Sequence, residues 1–462
     1  MKLRSIQFSS ICSYPYPCVL MDKRSTRKRS KSAKVTNTLD KVDRLSSLPY
    51  EILTKILTLL PTKDAITTSV LSSKWISLWT FANVFVFPNN FPSITRNNFV
   101  EIFNNILAQR RSNLINRLFL CFETCYDPDL VVKMISMAIN QKVQEINLFL
   151  YPFQVYLPSQ LFTCKTLTVL ELVGSLKFFQ ISYVHLPSLK ILHINLLSFV
   201  EDETLMRLFS GCPVLEELIY EEFTFKRTFS FEISVPTLKR LCVRSSDKRL
   251  HINTPRLQYF QLDYTTAIDY AIRNMNNLKE AYINIYFDPE DEEEKENIPN
   301  LFNGIHKTQF LSFDVTSTEV LINACLEFPT FHNLDHLQLY LKTIDSYFLV
   351  ELLLDKCPNL KCLEIIKVNE LADGEIKWTQ PNIAVPTCLS SHLTSLIFKD
   401  YEGTTDEFEL ISYFLASGNA LKRTIIYFQT NWDPTMASND VSRLCSLQRA
   451  SIENKTSYVL RS

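Results

Sequence analysis

The chain has 462 residues, of which 46% are hydrophobic and 21% are charged, and its formal net charge at pH 7 is −1. This composition is typical of folded proteins, and a nearly neutral chain has no overall field to attract nucleic acid or membranes as partners. Six glycines argue against Gly-rich phosphate loops, and no apolar run reaches the roughly 18 residues that a membrane span needs.

The first segment, residues 1–42, is predicted to be a disordered basic tail. It contains the Ser-rich run KRSTRKRSKSAK at residues 23–34. Serines and prolines interrupt the mildly apolar beginning, so we expect no signal peptide. Two interpretations of the basic run stay open, a nuclear-import or nucleic-acid patch and a solvated tail. We expect the chain to act in the nucleus, the cytoplasm or both.

The next segment, residues 43–86, concentrates large apolar side chains in about three predicted helices. Apolar residues recur at helical spacing from Ile52 to Leu60, and Pro61 ends that helix. Thr62 is predicted to cap the next helix. In the third, Trp75 and Trp79 lie four residues apart, with Leu71 and Leu78 on a similar face. About forty residues cannot bury all of this apolar surface themselves, so part of it is predicted to face another protein.

This segment resembles an F-box. The matching elements are a Leu-Pro pair, two aliphatic pairs, a closing Leu-Pro and a VLSxxW element. The family's usual acidic residue after the first Leu-Pro is replaced by Tyr50, and its Lys-Arg before the tryptophan by Ser73 and Lys74. The resemblance implies binding of a Skp-type adaptor and, through it, of a cullin. The residues to which it assigns adaptor binding are Leu48, Pro49, Ile52, Leu53, Ile56, Leu57, Leu60, Pro61, Val70, Leu71, Trp75 and Trp79.

Residues 110–370 repeat a leucine that is followed by apolar residues three and five positions later. Copies start at residues 167, 189, 215, 238, 257, 278, 334 and 360, and looser ones at Ile115, Val143 and Thr308. Spacings from 19 residues (238 to 257) to 26 (189 to 215) are typical of leucine-rich repeats. The period of two predicts a short strand with one buried face in each copy, so the expected fold is an α/β solenoid with a parallel sheet. Helical or irregular segments are predicted to connect the strands, with helices at 202–213 and 346–358.

Candidate sites for chemistry in this region are few. His332 and His336 have the spacing of a metal-binding helix, but they are predicted to lie in a strand, where such positions are about 13 Å apart. The pairs Cys121/Cys125 and Cys357/Cys362 lack the second half of a zinc site. Cysteines at 164, 212 and 357 each precede a repeat leucine by three residues, which predicts a packing role. We therefore expect no metal, no cofactor and no catalytic residue.

Two later segments complete the chain. The acidic insertion FDPEDEEEKENIP, residues 287–299, is predicted to be a solvated loop, with contact to a basic partner as the alternative. Residues 378–428 resemble an FBD domain, and 429–462 are predicted to extend it and to cap the last repeat. The elements that carry this resemblance are Val385, Pro386, Cys388, Leu389, Leu393, Gly403, Glu409, Leu410, Leu421 and Lys422.

The combined resemblance is to plant F-box/FBD/LRR-repeat proteins. It implies a non-catalytic substrate-recognition subunit of a Skp–cullin–F-box ubiquitin ligase, with an unidentified protein substrate held by the repeats. Two alternatives stay open, a small-molecule-sensing F-box receptor and a repeat scaffold without ligase activity. The outward strand positions mix charges without a basic cluster for a phosphate or carboxylate ligand, which disfavours the sensor. These positions are Glu171, His193, Glu217, Arg240, Gln261, Gln338 and Glu364.

Overall fold

A computed structural model describes most of the chain beyond the first 42 residues. The described residues are 43–88, 96–123, 126–178, 181–197, 200–222, 230–245, 249–265, 269–286, 298–315, 326–341, 346–368, 385–429 and 434–460. The basic run, Cys125, residues 287–297 of the acidic insertion and residues 378–384 of the FBD resemblance lie outside them. The chain divides into two compact units, 1–47 and 48–462. In the first, residues 43–47 form a turn in which the Ser46 backbone N–H donates to the Asp43 carboxylate at 2.9 Å.

The second unit begins with helices and continues as strands that alternate with further helices. The helices are Tyr50–Thr58 (α1), Thr62–Thr67 (α2), Arg96–Gln109 (α3), Pro128–Asn140 (α4), Asp202–Ser210 (α5), Ile298–Ile305 (α6), Ser346–Asp355 (α7), Thr387–Ser391 (α8), Thr405–Ser417 (α9) and Pro434–Cys445 (α10), with 3₁₀ turns at Thr68–Val70, Leu78–Phe81 and Ser159–Thr163. None of these helices combines the length and the hydrophobicity needed to cross a lipid bilayer, as far as the described segments go.

The strands form two parallel sheets. Their bounds are Val84–Phe87 (β1), Arg117–Phe122 (β2), Glu145–Leu157 (β3), Val169–Phe178 (β4), Ile191–Leu196 (β5), Glu217–Glu222 (β6), Ser230–Ile233 (β7), Arg240–Ser245 (β8), Arg249–Asn253 (β9), Tyr259–Thr265 (β10), Asp269–Arg273 (β11), Glu280–Tyr286 (β12), Phe310–Val315 (β13), His336–Leu341 (β14), Cys362–Lys367 (β15), Ser395–Tyr401 (β16), Arg423–Phe428 (β17) and Lys455–Val459 (β18). The large sheet has the order β1-β2-β3-β4-β5-β6-β8-β10-β12-β13-β14-β15-β16-β17-β18, and the small one β11-β9-β7.

The leucine pattern sets the register of the large sheet. Leu170, Leu192 and Leu218 are directly opposite one another on β4, β5 and β6, and all three are fully buried. On β4 and β5 the positions between the buried residues are half-buried, so one face of these strands lies in the core and the other is the open face. Even the weak copy at residue 278 keeps the register, because Ala281 occupies a buried leucine position on β12. The predicted α/β fold with a parallel-sheet solenoid is confirmed.

The sheet is longer than the repeat region alone. It starts at β1, within the segment that resembles an F-box, and it continues through β16, β17 and β18. The FBD segment thus adds strands in parallel to the last repeat. The small sheet was not predicted, because we expected helical or irregular connections where β7, β9 and β11 pair with one another. The predicted connecting helices are present as α5 and α7.

The helical segment differs from its prediction in two places. Thr62 does not cap α2: Pro61 is at the cap position, and the Thr62 hydroxyl instead accepts the Val86 N–H at 2.9 Å, which ties α2 to β1. The third helix is a turn followed by the 3₁₀ turn Leu78–Phe81. Leu71 is therefore exposed while Leu78 is fully buried, and the two do not share a face.

Candidate functional site

The residues that the resemblance assigns to adaptor binding divide into an inner and an outer group. Leu53, Leu57, Trp75 and Trp79 belong to the hydrophobic core of the chain, with at most 8% of each residue exposed. Leu48, Ile56 and Leu60 are half-buried and pack against that core; Pro61 is also half-buried. As placed in this chain, the inner group supports the helices from within rather than presenting surface to a partner.

The outer group leaves large apolar side chains open. Val70 is 87% exposed, Leu71 53% and Ile52 45%. Pro49 is also exposed. The structure adds three exposed apolar residues that the motif did not single out, namely Tyr50, Leu59 and Ile76. Ile52 and Leu59 are seven residues apart, which places them on one side of α1 and its C-cap. We call the set Pro49, Tyr50, Ile52, Leu59, Val70, Leu71 and Ile76 the outer apolar set.

Hydrogen bonds and a half-buried arginine hold the helical module, residues 48–87, in place. The Lys74 ammonium donates to the Leu48 carbonyl at 2.7 Å, which joins the beginning of α1 to the turn before Trp75. The Arg110 guanidinium lies 4.7 Å from the Phe85 ring centroid and donates to the Leu114 carbonyl at 2.7 Å. Burial lowers the pKa of Arg110 to about 10, so it stays charged at neutral pH. The module is therefore fixed to the beginning of the sheet.

The open face of the sheet carries polar side chains that bridge neighbouring strands. On β3 to β6, the Asn147 amide donates to Glu171 at 2.9 Å, and His193 lies between Glu171 and Glu217, with Nε2 2.9 Å from the Glu217 carboxylate. Burial by itself lowers the pKa of His193, but hydrogen bonds to the two glutamates outweigh it and raise that pKa above 6.5. His193 on β5 therefore lies between carboxylates on the two strands that flank it, β4 and β6.

A second polar group lies further along the same face. The Ser312 hydroxyl donates to Gln338 at 2.8 Å, and Gln338 donates to Glu364 at 3.0 Å. Hydrogen bonds to His336 and then to Lys399 and Gln338 lower the pKa of Glu364 to about 2 despite its burial. Hydrogen bonds to Cys362 and Glu364 raise the pKa of His336 to about 9. The Glu364 carboxylate and the His336 imidazole are therefore both ionised at neutral pH, and their opposite charges attract.

A third polar group ties the FBD segment to the last repeat. The fully buried Glu407 carboxylate accepts the backbone N–H groups of Thr404 at 2.9 Å and Glu402 at 3.1 Å, which closes a capping box at the start of α9. Its other oxygen lies 3.0 Å from the Lys367 ammonium at the end of β15. Burial raises the pKa of Glu407, while Lys367 and the two amides act against that rise.

The residues considered for metal binding do not come together. His332 lies in a turn and β14 begins at His336, so the prediction that both lie in one strand is wrong. Within the described segments, no group of three or more His, Cys, Asp or Glu side chains could hold a metal ion. Cys164, Cys212 and Cys357 are all buried in the core, which confirms their packing role. Burial raises the pKa of Cys212 to about 12, so this thiol is not a ready nucleophile.

Comparison with known proteins agrees with this arrangement. Three family models match: the F-box domain at residues 45–87, the leucine-rich repeats of FBD-associated F-box protein At5g56370 at 131–283, and FBD at 380–426. These ranges do not fix the domain limits given above, which stay predictions.

Relatives from Arabidopsis thaliana match over most of the chain. FBD-associated F-box protein At4g10400 is 30% identical over 401 residues, covering 84% of this chain and 93% of the relative. F-box/LRR-repeat protein At3g59200 is 30% identical over 442 residues, covering 85% and 84%. F-box/FBD/LRR-repeat protein At4g00160 is 28% identical over 447 residues, covering 91% and 92%. The chain therefore belongs to the F-box/FBD/LRR-repeat family of F-box proteins.

Proposed function

We propose that this F-box protein is the substrate-recognition subunit of a Skp–cullin–F-box ubiquitin ligase. The observation that carries the proposal is the outer apolar set on a helical module that matches the F-box model. Exposed Val, Leu, Ile and Tyr side chains on one small helical module favour a protein partner, because large apolar side chains gain free energy when a partner covers them. The partner that an F-box implies is a Skp-type adaptor, with a cullin bound to that adaptor.

The repeats supply the second binding function. The open face of the sheet presents ionic and aromatic side chains on successive parallel strands, which suits recognition of an extended protein surface. In this arrangement the chain itself performs no chemistry. It raises the effective concentration of a bound substrate near the enzyme that transfers ubiquitin, and other subunits catalyse the transfer. We place this activity in the nucleus, the cytoplasm or both.

Capture of a purified Skp-type adaptor by the full chain tests the proposal. The double variant Leu48→Ala with Pro49→Ala removes the motif's first Leu-Pro, and we expect an affinity at least about a hundredfold lower, since hot-spot truncations cost about 2–4 kcal/mol each. Gln338→Ala, on the open sheet face, serves as the control and should keep full capture. Circular dichroism of both variants checks that the helices remain folded. Equal capture by the double variant, or no capture by the wild type, contradicts the proposal and leaves a repeat scaffold without ligase activity.

A further inference from the structure

A band of aromatic rings in tilted and edge-to-face contact crosses the open face of the sheet from β10 to β14. Tyr259 and Tyr282 have ring centroids 5.1 Å apart, Tyr282 and Phe310 also 5.1 Å, and Phe310 and His336 4.9 Å. All four rings are half-buried, so each keeps part of its surface open. We call Tyr259, Tyr282, Phe310 and His336 the aromatic band.

The protein itself shows which group this band accepts. The Arg240 guanidinium on β8 lies over the Tyr259 ring, with its central carbon 3.6 Å from the ring centroid. A cation over an aromatic face is attracted by the negative electrostatic potential of the ring, and the planar guanidinium of arginine also stacks on it. Arg240 thus occupies one end of the band in the way that an arginine of a partner would occupy the rest.

A carboxylate lies at the middle of the aromatic band. Glu280 on β12 is directly opposite Tyr259 on one side and Phe310 on the other, and its side chain is exposed. The Tyr282 hydroxyl donates to this carboxylate at 3.4 Å. Three aromatic rings around an exposed carboxylate form a surface that suits a cationic side chain, because the carboxylate supplies a counter-ion and the rings supply apolar contact.

The surrounding charges on the open face favour the same class of partner. Arg244 already lies within ion-pair distance of Glu221, at 3.3 Å, and Asp263, at 2.9 Å. His336 lies 3.4 Å from the Glu364 carboxylate, which it shares with Lys399. On the open face of the described large-sheet strands β6, β8, β10, β12 and β13, the carboxylates outnumber the guanidiniums of Arg240 and Arg244 by five to two. These carboxylates are Glu217, Glu221, Asp263, Glu280 and Asp314.

We propose that the aromatic band and Glu280 bind a basic segment of the protein substrate, with an arginine or lysine side chain over Tyr282 and Phe310 and its charge beside Glu280. This inference rests on the proposed function, because the bound protein is a substrate only if this chain belongs to a ubiquitin ligase. It assigns the substrate class to protein segments rich in arginine or lysine. Anionic partners such as single-stranded nucleic acid, which also stack on aromatic rings, are disfavoured by the carboxylates.

Peptide binding to the full chain tests the assignment. The probe is a fluorescein-labelled decapeptide that carries arginines separated by Gly and Ser, and its partner probe has citrulline at every arginine. Fluorescence anisotropy should show binding of the arginine peptide and about tenfold weaker binding of the citrulline peptide, a difference of about 1.4 kcal/mol, because citrulline keeps the shape of the side chain but loses the cation. Equal binding of the two peptides, or tighter binding of oligothymidylate, overturns the inference.

Matched variants locate the binding. Glu280→Lys and Tyr282→Ala should each weaken the arginine peptide about tenfold, whereas Tyr282→Phe keeps the ring and should keep most of the affinity. Glu232→Lys makes the same charge reversal at an exposed position on β7 of the small sheet and should change nothing. Equal loss in Glu232→Lys would refer the effect to net charge and overturn the inference. Adaptor capture is measured on the same samples. If the wild-type chain captures the adaptor but does not bind the arginine peptide, the inference about the aromatic band is wrong. If it binds the peptide but does not capture the adaptor, the proposed function is wrong.

Discussion

Substitutions in the outer apolar set are predicted to weaken adaptor binding without lowering the stability of the fold. Val70 and Leu71 are 87% and 53% exposed, and the 3₁₀ turn Thr68–Val70 contains no buried residue. Full burial of a valine or leucine side chain is worth about 1.5–3 kcal/mol, so covering these exposed fractions is worth about 3 kcal/mol in total. Val70→Ser with Leu71→Ser should therefore raise the Kd for a Skp-type adaptor about a hundredfold. Thermal stability should change little, because exposed substitutions usually cost less than about 0.5 kcal/mol.

Trp75→Ala is the matched contrast within the same motif. Trp75 is 1% exposed, and truncation of a buried aromatic residue costs about 3–5 kcal/mol of folding free energy. Isothermal titration with the adaptor and thermal unfolding of each variant separate the two roles. The reasoning is refuted if the double serine variant shifts Kd by less than about threefold, or if it unfolds as early as Trp75→Ala.

Three further predictions concern the polar contacts that hold the fold. Thr62→Val leaves the Val86 N–H without its acceptor; we expect a loss of about 1–2 kcal/mol and faster amide exchange at Val86. The pKa of His193 is raised in the folded chain, so its stabilisation is complete below pH 6.5 and is lost as pH rises through the folded pKa; His193→Asn should flatten that decline in urea unfolding above pH 6.5. Glu407→Ala removes a fully buried carboxylate that accepts two backbone N–H groups and should cost about 1–3 kcal/mol by hydrogen exchange, while exposed Glu409→Ala on the same helix should cost little.

The repeat strands were predictable from the sequence because their signal is local. Each copy of the repeat has an apolar residue at every second position, which predicts a strand with one buried face. The residues between them lie on the other face because the strand is pleated. The small sheet was not predictable in the same way. Ser230–Ile233, Arg249–Asn253 and Asp269–Arg273 have four or five residues each, too few to show a period. They pair with equivalent segments of other repeats, and this pairing has no local signature.

The candidate adaptor site was predictable in composition but not in orientation. The motif names Leu71 and Trp75 together, yet the structure exposes the first and buries the second. The cause is the turn at residues 73–77, which breaks the helical spacing that we assumed between them. The prediction that Thr62 caps α2 was wrong for a related reason. Pro61 occupies the cap position, and the Thr62 hydroxyl accepts a hydrogen bond from Val86 instead.

The direct joining of the helical module to the sheet has a consequence for the proposed mechanism. Thr62 and Arg110 tie the module to β1 and its neighbours, and one hydrophobic core runs from Leu53 to Leu444 without interruption. The aromatic band begins at β10, seven strands along the sheet from β1, or about 35 Å at roughly 4.8 Å per strand. A segment bound there is held by packed elements at a set distance from the adaptor, rather than by a flexible linker whose effective concentration falls with length. The strand that a substrate occupies would then decide which of its lysines come within reach of ubiquitin transfer.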